Sequence, residues 1–407
     1  MITQTTKLTP TVEKERFPLL DVLRGFAIFG ILLNNMGMFS GPSREPGFMG
    51  ALPTTMDVTV ESLIMFFING KSYMLFSLLF GLGFALQLKR AEARGTNLLP
   101  AYSRRLLLLF AMGTLHTVLM WEGDILAMYA LLGFCLLPIR RWPSWALLAG
   151  AGMLLIMSPV AQWFSIGLNY AADGVVNVAT VGAGGVAGST PAEIAQAVYG
   201  HGRYLDVVAY RLETLPPHVG RLWLNQSLGT MAIFLLGLYA GRHRFVETFA
   251  THAMRLRAWL LWVFVAAVVV NLIYIFALMQ GRLRLELVSL AVGGLLLCIV
   301  YVGGLGLLME KLVWHARLAP LAAVGRVALT NYLLQSAICT TLFYGYGFGM
   351  YGQFGSTTNF LVALIVFACQ IVLSTWWLQR FHFGPIEWLW RMLTYGQWQP
   401  LKKAVRV

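Results

Sequence analysis

His116, Glu122 and Asp124 interrupt an otherwise apolar stretch, FAMGTLHTVLMWEGDIL at 110–126. An ionisable group at mid-membrane costs about 2.5 to 3.5 kcal/mol on insertion scales, so such groups persist where they pair, line a wet cavity or do work. On a helix His116 precedes Trp121 by five residues, roughly 7 to 8 Å below the turn that follows. Its own face carries Met112, Gly113, Leu119 and Met120, and Gly113 leaves room beside the ring. The next helix starts at Gly123-Asp124 and runs back antiparallel. The Asp124 carboxylate can then reach the imidazole, directly or through one water, and fix its tautomer. That is a general-base arrangement: His116 the base, Asp124 its orienter, Glu122 a further acid at the turn. The plainer reading has Asp124 capping the following helix, His116 bonded to a neighbouring carbonyl and Glu122 solvated.

Two further groups have chemical potential. Asp21 and Arg24 stand three apart near the start of the first apolar run, as a self-neutralising pair or with Arg24 facing a phosphate alongside Arg104 and Arg105. Asn34 and Asn35 at the other end of that run, and Asn331, Tyr332 and Gln335 in GRVALTNYLLQS, are interhelical glue or substrate contacts.

These residues need helices to hold them. Of the 407 residues, 58% are hydrophobic and 12% charged, far from the roughly 25% charged residues of a soluble domain. Ten runs are long enough to span a bilayer as helices: 19–40, 70–88, 104–121, 124–139, 144–166, 225–241, 258–280, 286–309, 322–345 and 359–378. The expected fold is all-α, a polytopic bundle over 19–378 with a short tail before it, an outer cap at 167–222 and an interfacial C-terminal helix and tail at 379–407.

The formal charge of +13 sorts by connection. With the N-terminus inside, 22 of the 30 basic residues fall on inner segments, which is the positive-inside bias and places both termini in the cytoplasm. Charge so explained leaves no role for nucleic acid. The first run carries Asp21 and Arg24, unlike a cleavable signal, and reads as a retained anchor. Cys135, Cys298, Cys339 and Cys369 fall inside spans without metal spacing, so no metal is expected.

Connections carry smaller signals. The tract GVVNVATVGAGGVAGST reads as flexible, and Thr190, Pro191 and Glu193 start cap helices through about 215. Residues 57–69 suit an interfacial helix with Asp57 and Glu61 on its polar side. FYGYGFGMYGQFG, 343–355, reads as an aromatic belt loop or as the lining of a slot for a substrate chain. In FHFGPIEWLWRMLTY, Pro385 opens a helix whose Trp388, Trp390 and Tyr395 suit the inner interface.

The stretches LLDVLRGFAIFGILLNNM, FSLLFGLGFALQLKR, RRLLLLFAMGTLHTVLMWEGDILAMYALLGF, GRVALTNYLLQS and FGPIEWLWRMLTY occur in this order between about 16 and 396. They resemble the YeiB-like family of bacterial inner-membrane proteins, the domain of unknown function 418. Through Leu20, Asp21, Leu23, Arg24 and Gly25 the chain is also similar to transmembrane acyltransferases such as heparan-alpha-glucosaminide N-acetyltransferase. That resemblance implies a cytoplasmic acyl-CoA donor, phosphate contacts at Arg24 and a histidine base for a glycan, lipid or small-molecule acceptor outside. Those enzymes carry their histidine after the first span, where this chain has Asn34, Asn35 and no His through residue 60, so His116 would be a substitute elsewhere.

The resulting expectation is an acyltransferase of the bacterial inner membrane, with a cavity between the first, third, fourth and ninth spans. Membrane lipid is its surroundings, and oligomers are possible. A transporter using the same buried polar groups, echoed in VLRGFAIFGILLNN against VGRVALTNYLLQS, and a non-catalytic scaffold are the other classes.

Overall fold

The computed structural model describes residues 17–41, 54–176, 191–249, 251 and 253–403. Among them the regular structure is helical, and the one β pairing is an antiparallel bridge, Phe381 with Lys402. The helices are α1 (Pro18–Phe39), α2 (Thr55–Phe67), α3 (Lys71–Ala93), α4 (Leu99–Leu119), α5 (Leu126–Ile139), α6 (Ser144–Val176), α7 (Pro191–Ala195) and α8 (Tyr204–Arg242). They continue with α9 (Ala253–Met279), α10 (Leu283–Met309), α11 (Leu312–Arg326), α12 (Ala328–Phe343), α13 (Ser356–Arg380) and α14 (Pro385–Tyr395), and a π-helical turn, Gln196–Gly200, follows α7.

Large apolar side chains point outward along several helices, among them Leu115, Ile156, Trp259, Trp262, Ile365 and Val372. In water so much contiguous apolar surface would drive association; in a bilayer it faces lipid tails. Among the described residues, six helices are long and apolar enough to cross a membrane, or seven if α11 and α12 count as one bent span. All ten expected runs lie on helices, but four depart from the expectation of a simple span. The run 322–345 is broken near Val327, where α11 and α12 meet at a 74° bend. α5 has 14 residues, while α4 and α8 are diluted by polar groups such as Arg104, Arg105, Asn225 and Gln226. The tract expected to be flexible lies mostly outside the described residues. The cap helix expected before 215 and the run 225–241 form one helix, α8.

α1 is the central post, packed on α3, α11, α12 and α13. Its approach to α11 depends on glycines: a Cβ on Gly25 would lie 2.1 Å from the Leu321 carbonyl oxygen, and one on Gly325 would lie 1.8 Å from that of Asp21. Without a hydrophobic force between helices in lipid, such small-residue seams set how closely backbones pack. Here the seam brings Asp21 and Arg24 alongside Arg326.

A helix broken inside a bundle exposes backbone N–H groups that must be satisfied within the protein. At the start of α12 the amides of Leu329 and Thr330 donate to Glu387 Oε1 at 2.8 and 3.0 Å, and the Thr330 hydroxyl donates to Oε2. Glu387 is thus a helix cap supplied from α14. Burial pushes its carboxyl above the usual range, while the bonds from Thr330 and Leu329 pull the other way. The far end repeats the device. The Thr357 amide donates to Asp57 Oδ1 at 2.8 Å and Ser356 Oγ to Glu61 Oε2 at 3.0 Å, so the acidic side of α2 caps α13.

Residues 343–355 are packed as a plug: Tyr344 and Tyr351 are buried against Tyr199, and the Gly345 amide donates to the Tyr199 carbonyl. Cys298 and Cys339 are buried, whereas Cys135 and Cys369 lie on exposed faces.

Glu387→Ala should leave two buried amides of α12 without an acceptor and cost about 1 to 2 kcal/mol, as for the loss of a strong cap. Thermal unfolding of the detergent-solubilised protein checks this; an unchanged midpoint would show that the break is held by something else.

Candidate functional site

α4 and α5 form a tight hairpin because α4 carries Gly113 where they cross. A Cβ there would lie 2.3 Å from the Ala127 amide nitrogen and 2.8 Å from Asp124 Oδ2. The gap lets the start of α5 lie against α4, one turn from His116. Asp124 then serves both helices: Oδ2 accepts from the Ala127 amide at 3.0 Å, and Oδ1 lies 2.9 Å from His116 Nδ1. The capping and orienting readings of Asp124 are therefore compatible, one for each oxygen.

The other ring nitrogen, Nε2, lies 2.8 Å from Ser336 Oγ of α12. A carboxylate only accepts, so Nδ1 carries its proton toward Asp124. Nε2 is left as an acceptor, and the serine hydroxyl donates to it. The line Asp124–His116–Ser336 is buried, with residue exposures of 3%, 2% and 1%. Tyr332, one turn before Ser336, has its ring centroid 5.2 Å from that of His116 and makes a long contact, 3.5 Å, from its hydroxyl to Asp124 Oδ1.

On the other side of Tyr332 lies a cavity of about 320 Å³, within the roughly 300 to 1,000 Å³ of small-molecule sites. Its walls come from α1, α3, α4, α5, α11, α12 and α14, and it opens at the end of the bundle where α1 starts and α14 lies. Deep inside it is apolar and aromatic, with Ile28, Leu79, Phe80, Ile125, Tyr129 and Tyr332. Toward the mouth it turns basic, with Arg24, Arg90, Arg105, Arg326 and Arg391 among the lining residues and, among the described residues, only Asp21 and Glu387 as acids. Both acids are engaged: Asp21 Oδ1 accepts from Arg24 at 2.7 Å, and Glu387 caps α12. Arg105 donates to Gln87 Oε1 at 3.0 Å and stacks on Trp390, its guanidinium carbon 4.3 Å from the ring centroid.

The expected site residues divide sharply. Asp21, Arg24, Arg105 and Tyr332 line the cavity. Arg104 does not; it is exposed and donates to the Pro100 carbonyl. His116 and Asp124 meet, but behind Tyr332, and neither is among the residues that line the cavity. Glu122, half-buried, accepts from the Tyr199 hydroxyl at 2.6 Å. Asn34 donates to Asn35 at 3.2 Å, away from the cavity. Asn331 donates to Ser374 Oγ at 2.9 Å and Gln335 to Gln370 Oε1 at 2.8 Å, joining α12 to α13.

Sequence reasoning missed Ser336, Gln87, Arg90, Arg326, Arg391 and the inward face of Trp390. Ser336 had a signal, since it sits one turn beyond Tyr332 on the polar stripe of α12. Arg90, Arg326 and Arg391 had none beyond lying on the basic side of the chain. Among the described residues, no group of three or more His, Cys, Asp or Glu side chains could hold a metal.

A family described as "Protein of unknown function (DUF418)" matches residues 240–397. Over 416 residues the chain is 35% identical to the uncharacterized protein YxaH of Bacillus subtilis (strain 168), with 98% of this chain and 99% of that protein covered. It is 32% identical over 402 residues to the uncharacterized protein YeiB of Escherichia coli (strain K12), covering 93% and 96%. An uncharacterized 39.9 kDa protein of Bacillus acidopullulyticus is 27% identical over 412 residues, covering 97% and 98%.

If Gly113 is what lets Asp124 reach His116, Gly113→Ala should force α5 outward and cost about 1 to 3 kcal/mol by overpacking. Gly152→Ala, where an added Cβ meets nothing within 4 Å, is the matched control and should be neutral or mildly stabilising. Paired melting curves decide it, and equal midpoints for the two variants would contradict the close approach.

Proposed function

From the premise that the chain belongs to the DUF418 family of YeiB-like proteins of unknown function, we propose that it is a membrane-embedded acyltransferase. Its donor is an acyl-CoA-like thioester that enters from the cytoplasm, and its acceptor is a hydroxyl or amine delivered from the opposite side of a bacterial inner membrane. The observation that carries the reading is the cavity's division into a basic mouth and an apolar depth ending at Tyr332. A nucleotide thioester has the same division: phosphates at one end, an uncharged arm and an acyl chain at the other.

The parts have matching tasks. Arg24, Arg90, Arg105, Arg326 and Arg391 gather guanidinium groups at the mouth, a type of group suited to a pyrophosphate and a further phosphate. Trp390 and Tyr395 offer rings beside them on which a base can stack. The arm and thioester would lie along Ile28, Phe80 and Tyr129, which exclude water. The thioester carbon then lies beside Tyr332, whose displacement would open the way to His116. There the imidazole takes the proton of the attacking group, while Asp124 holds the tautomer and stabilises the imidazolium. The positive-inside distribution of basic residues supports a cytoplasmic mouth.

Calorimetric titration of the full-length protein in detergent with CoA tests this. We expect saturable binding, weakened roughly 10- to 100-fold by Arg24→Ala or Arg105→Ala, as for the loss of a charged hydrogen bond. His116→Ala should leave CoA affinity unchanged and abolish acyl transfer. Absence of CoA binding by the wild type would remove the donor, and uptake of an unrelated solute by reconstituted vesicles would then favour a transporter.

A further inference from the structure

We propose that Ser336 is the first acceptor of the acyl group, so that transfer runs through an acyl-serine ester. This rests on the thioester-donor reading above and adds a covalent step to it.

The imidazole's two nitrogens have different partners. Nδ1 is committed to Asp124, and Nε2 faces Ser336 Oγ at 2.8 Å. A base reserved for an outside acceptor would present Nε2 to a space where that acceptor can stand. Here the hydroxyl aligned with it belongs to the protein. Two helices and a turn converge to make the line: α4 supplies His116, the α4–α5 turn Asp124 and α12 Ser336. A hydroxyl donating to an imidazole whose far nitrogen is held by a carboxylate is the arrangement that activates a serine nucleophile.

Other hydroxyls in the bundle show what an unemployed one does. Ser62, Thr117, Ser289 and Thr375 each donate to the carbonyl four residues earlier on their own helix. That local bond satisfies a helical hydroxyl with no partner from elsewhere. Ser336 instead reaches across the bundle, to a residue 220 positions away. Its position also suits a relay. It lies one turn of α12, about 6 Å along the axis, beyond the Tyr332 floor and away from the basic mouth.

The step balances. Ser336 Oγ bonds to the thioester carbonyl carbon as Nε2 takes the hydroxyl proton; the C–S bond breaks, and the sulfur takes that proton and leaves as the thiol. The acceptor hydroxyl or amine then attacks the ester carbon and gives its proton to Nε2. The C–Oγ bond breaks, and Oγ recovers the proton. The thiol can leave through the mouth before the acceptor arrives, which suits a transfer between opposite sides of a membrane.

The test incubates the full-length protein in detergent, without acceptor, with acetyl-, butyryl- and palmitoyl-CoA in turn. With one of them we expect a burst approaching one free CoA per chain, and an acyl mass increment on the peptide bearing Ser336 that hydroxylamine removes. Ser336→Ala should abolish burst and adduct and lower turnover by roughly 10³-fold or more, with calorimetric CoA affinity unchanged. Ser336→Cys should carry the group as a thioester. Wild-type turnover without burst or adduct, or full turnover by Ser336→Ala, overturns the serine intermediate and leaves the acyltransferase reading standing. Failure of the wild type to bind CoA overturns both.

Discussion

Much of this molecule follows from one buried contact, the imidazole of His116 against the carboxylate of Asp124. A carboxylate taken from water into a helical bundle is tolerated only where its oxygens are occupied. Asp124 meets that condition with an amide on one oxygen and the imidazole on the other. The price of the contact is paid at Gly113, the residue that lets α5 close on α4. Once Nδ1 is so held, Nε2 must find a donor, and Ser336 on α12 supplies it. The same condition shapes the break at Val327, where Glu387 covers the amides freed by the bend and thereby seats α14 across the cavity mouth. Backbone and side-chain satisfaction thus places the reactive line, the bend beside it and the helix below it.

What the sequence made legible follows from distance along the chain. His116 and Asp124 are joined by a short turn, so a hairpin alone brings them near, and the apolar runs disclose where the helices lie. Ser336 stands on the same stripe as Asn331 and Gln335, but periodicity tells which residues share a face, not which helix lies opposite. The face in fact divides: Asn331 and Gln335 meet α13 while Ser336 meets α4. Arg104 and Arg105 illustrate a simpler geometric limit. Adjacent residues are about 100° apart around a helix; Arg105 lines the cavity while Arg104 is exposed. The break at Val327 left little trace because the apolar run continues through it, and its compensation comes from Glu387, 58 residues from Leu329. The mouth was hidden for the same reason, since Arg90, Arg326 and Arg391 are gathered from three distant segments.

On the proposed function, the arrangement separates recognition from reaction. Charge and stacking groups stand at the mouth, apolar walls line the passage, and the hydrogen-bonded line waits behind one tyrosine. Keeping water from that line strengthens its electrostatics and, on the proposed function, would protect a thioester from hydrolysis. Tyr332 belongs to both regions, lining the cavity while its hydroxyl touches Asp124. A ligand that pushes this ring aside would disturb the Asp124 contacts as it arrives, coupling occupancy of the cavity to exposure of His116.

The most direct measurement of the central claim is photocrosslinking of the full-length protein with an acyl-CoA carrying a diazirine near the thioester, followed by peptide mapping. The account predicts labels on the α5 segment 125–129 and the α12 segment 328–336, suppressed by excess CoA. Labels confined to lipid-facing residues such as Trp259, Trp262 or Ile365, unaffected by CoA, would contradict it.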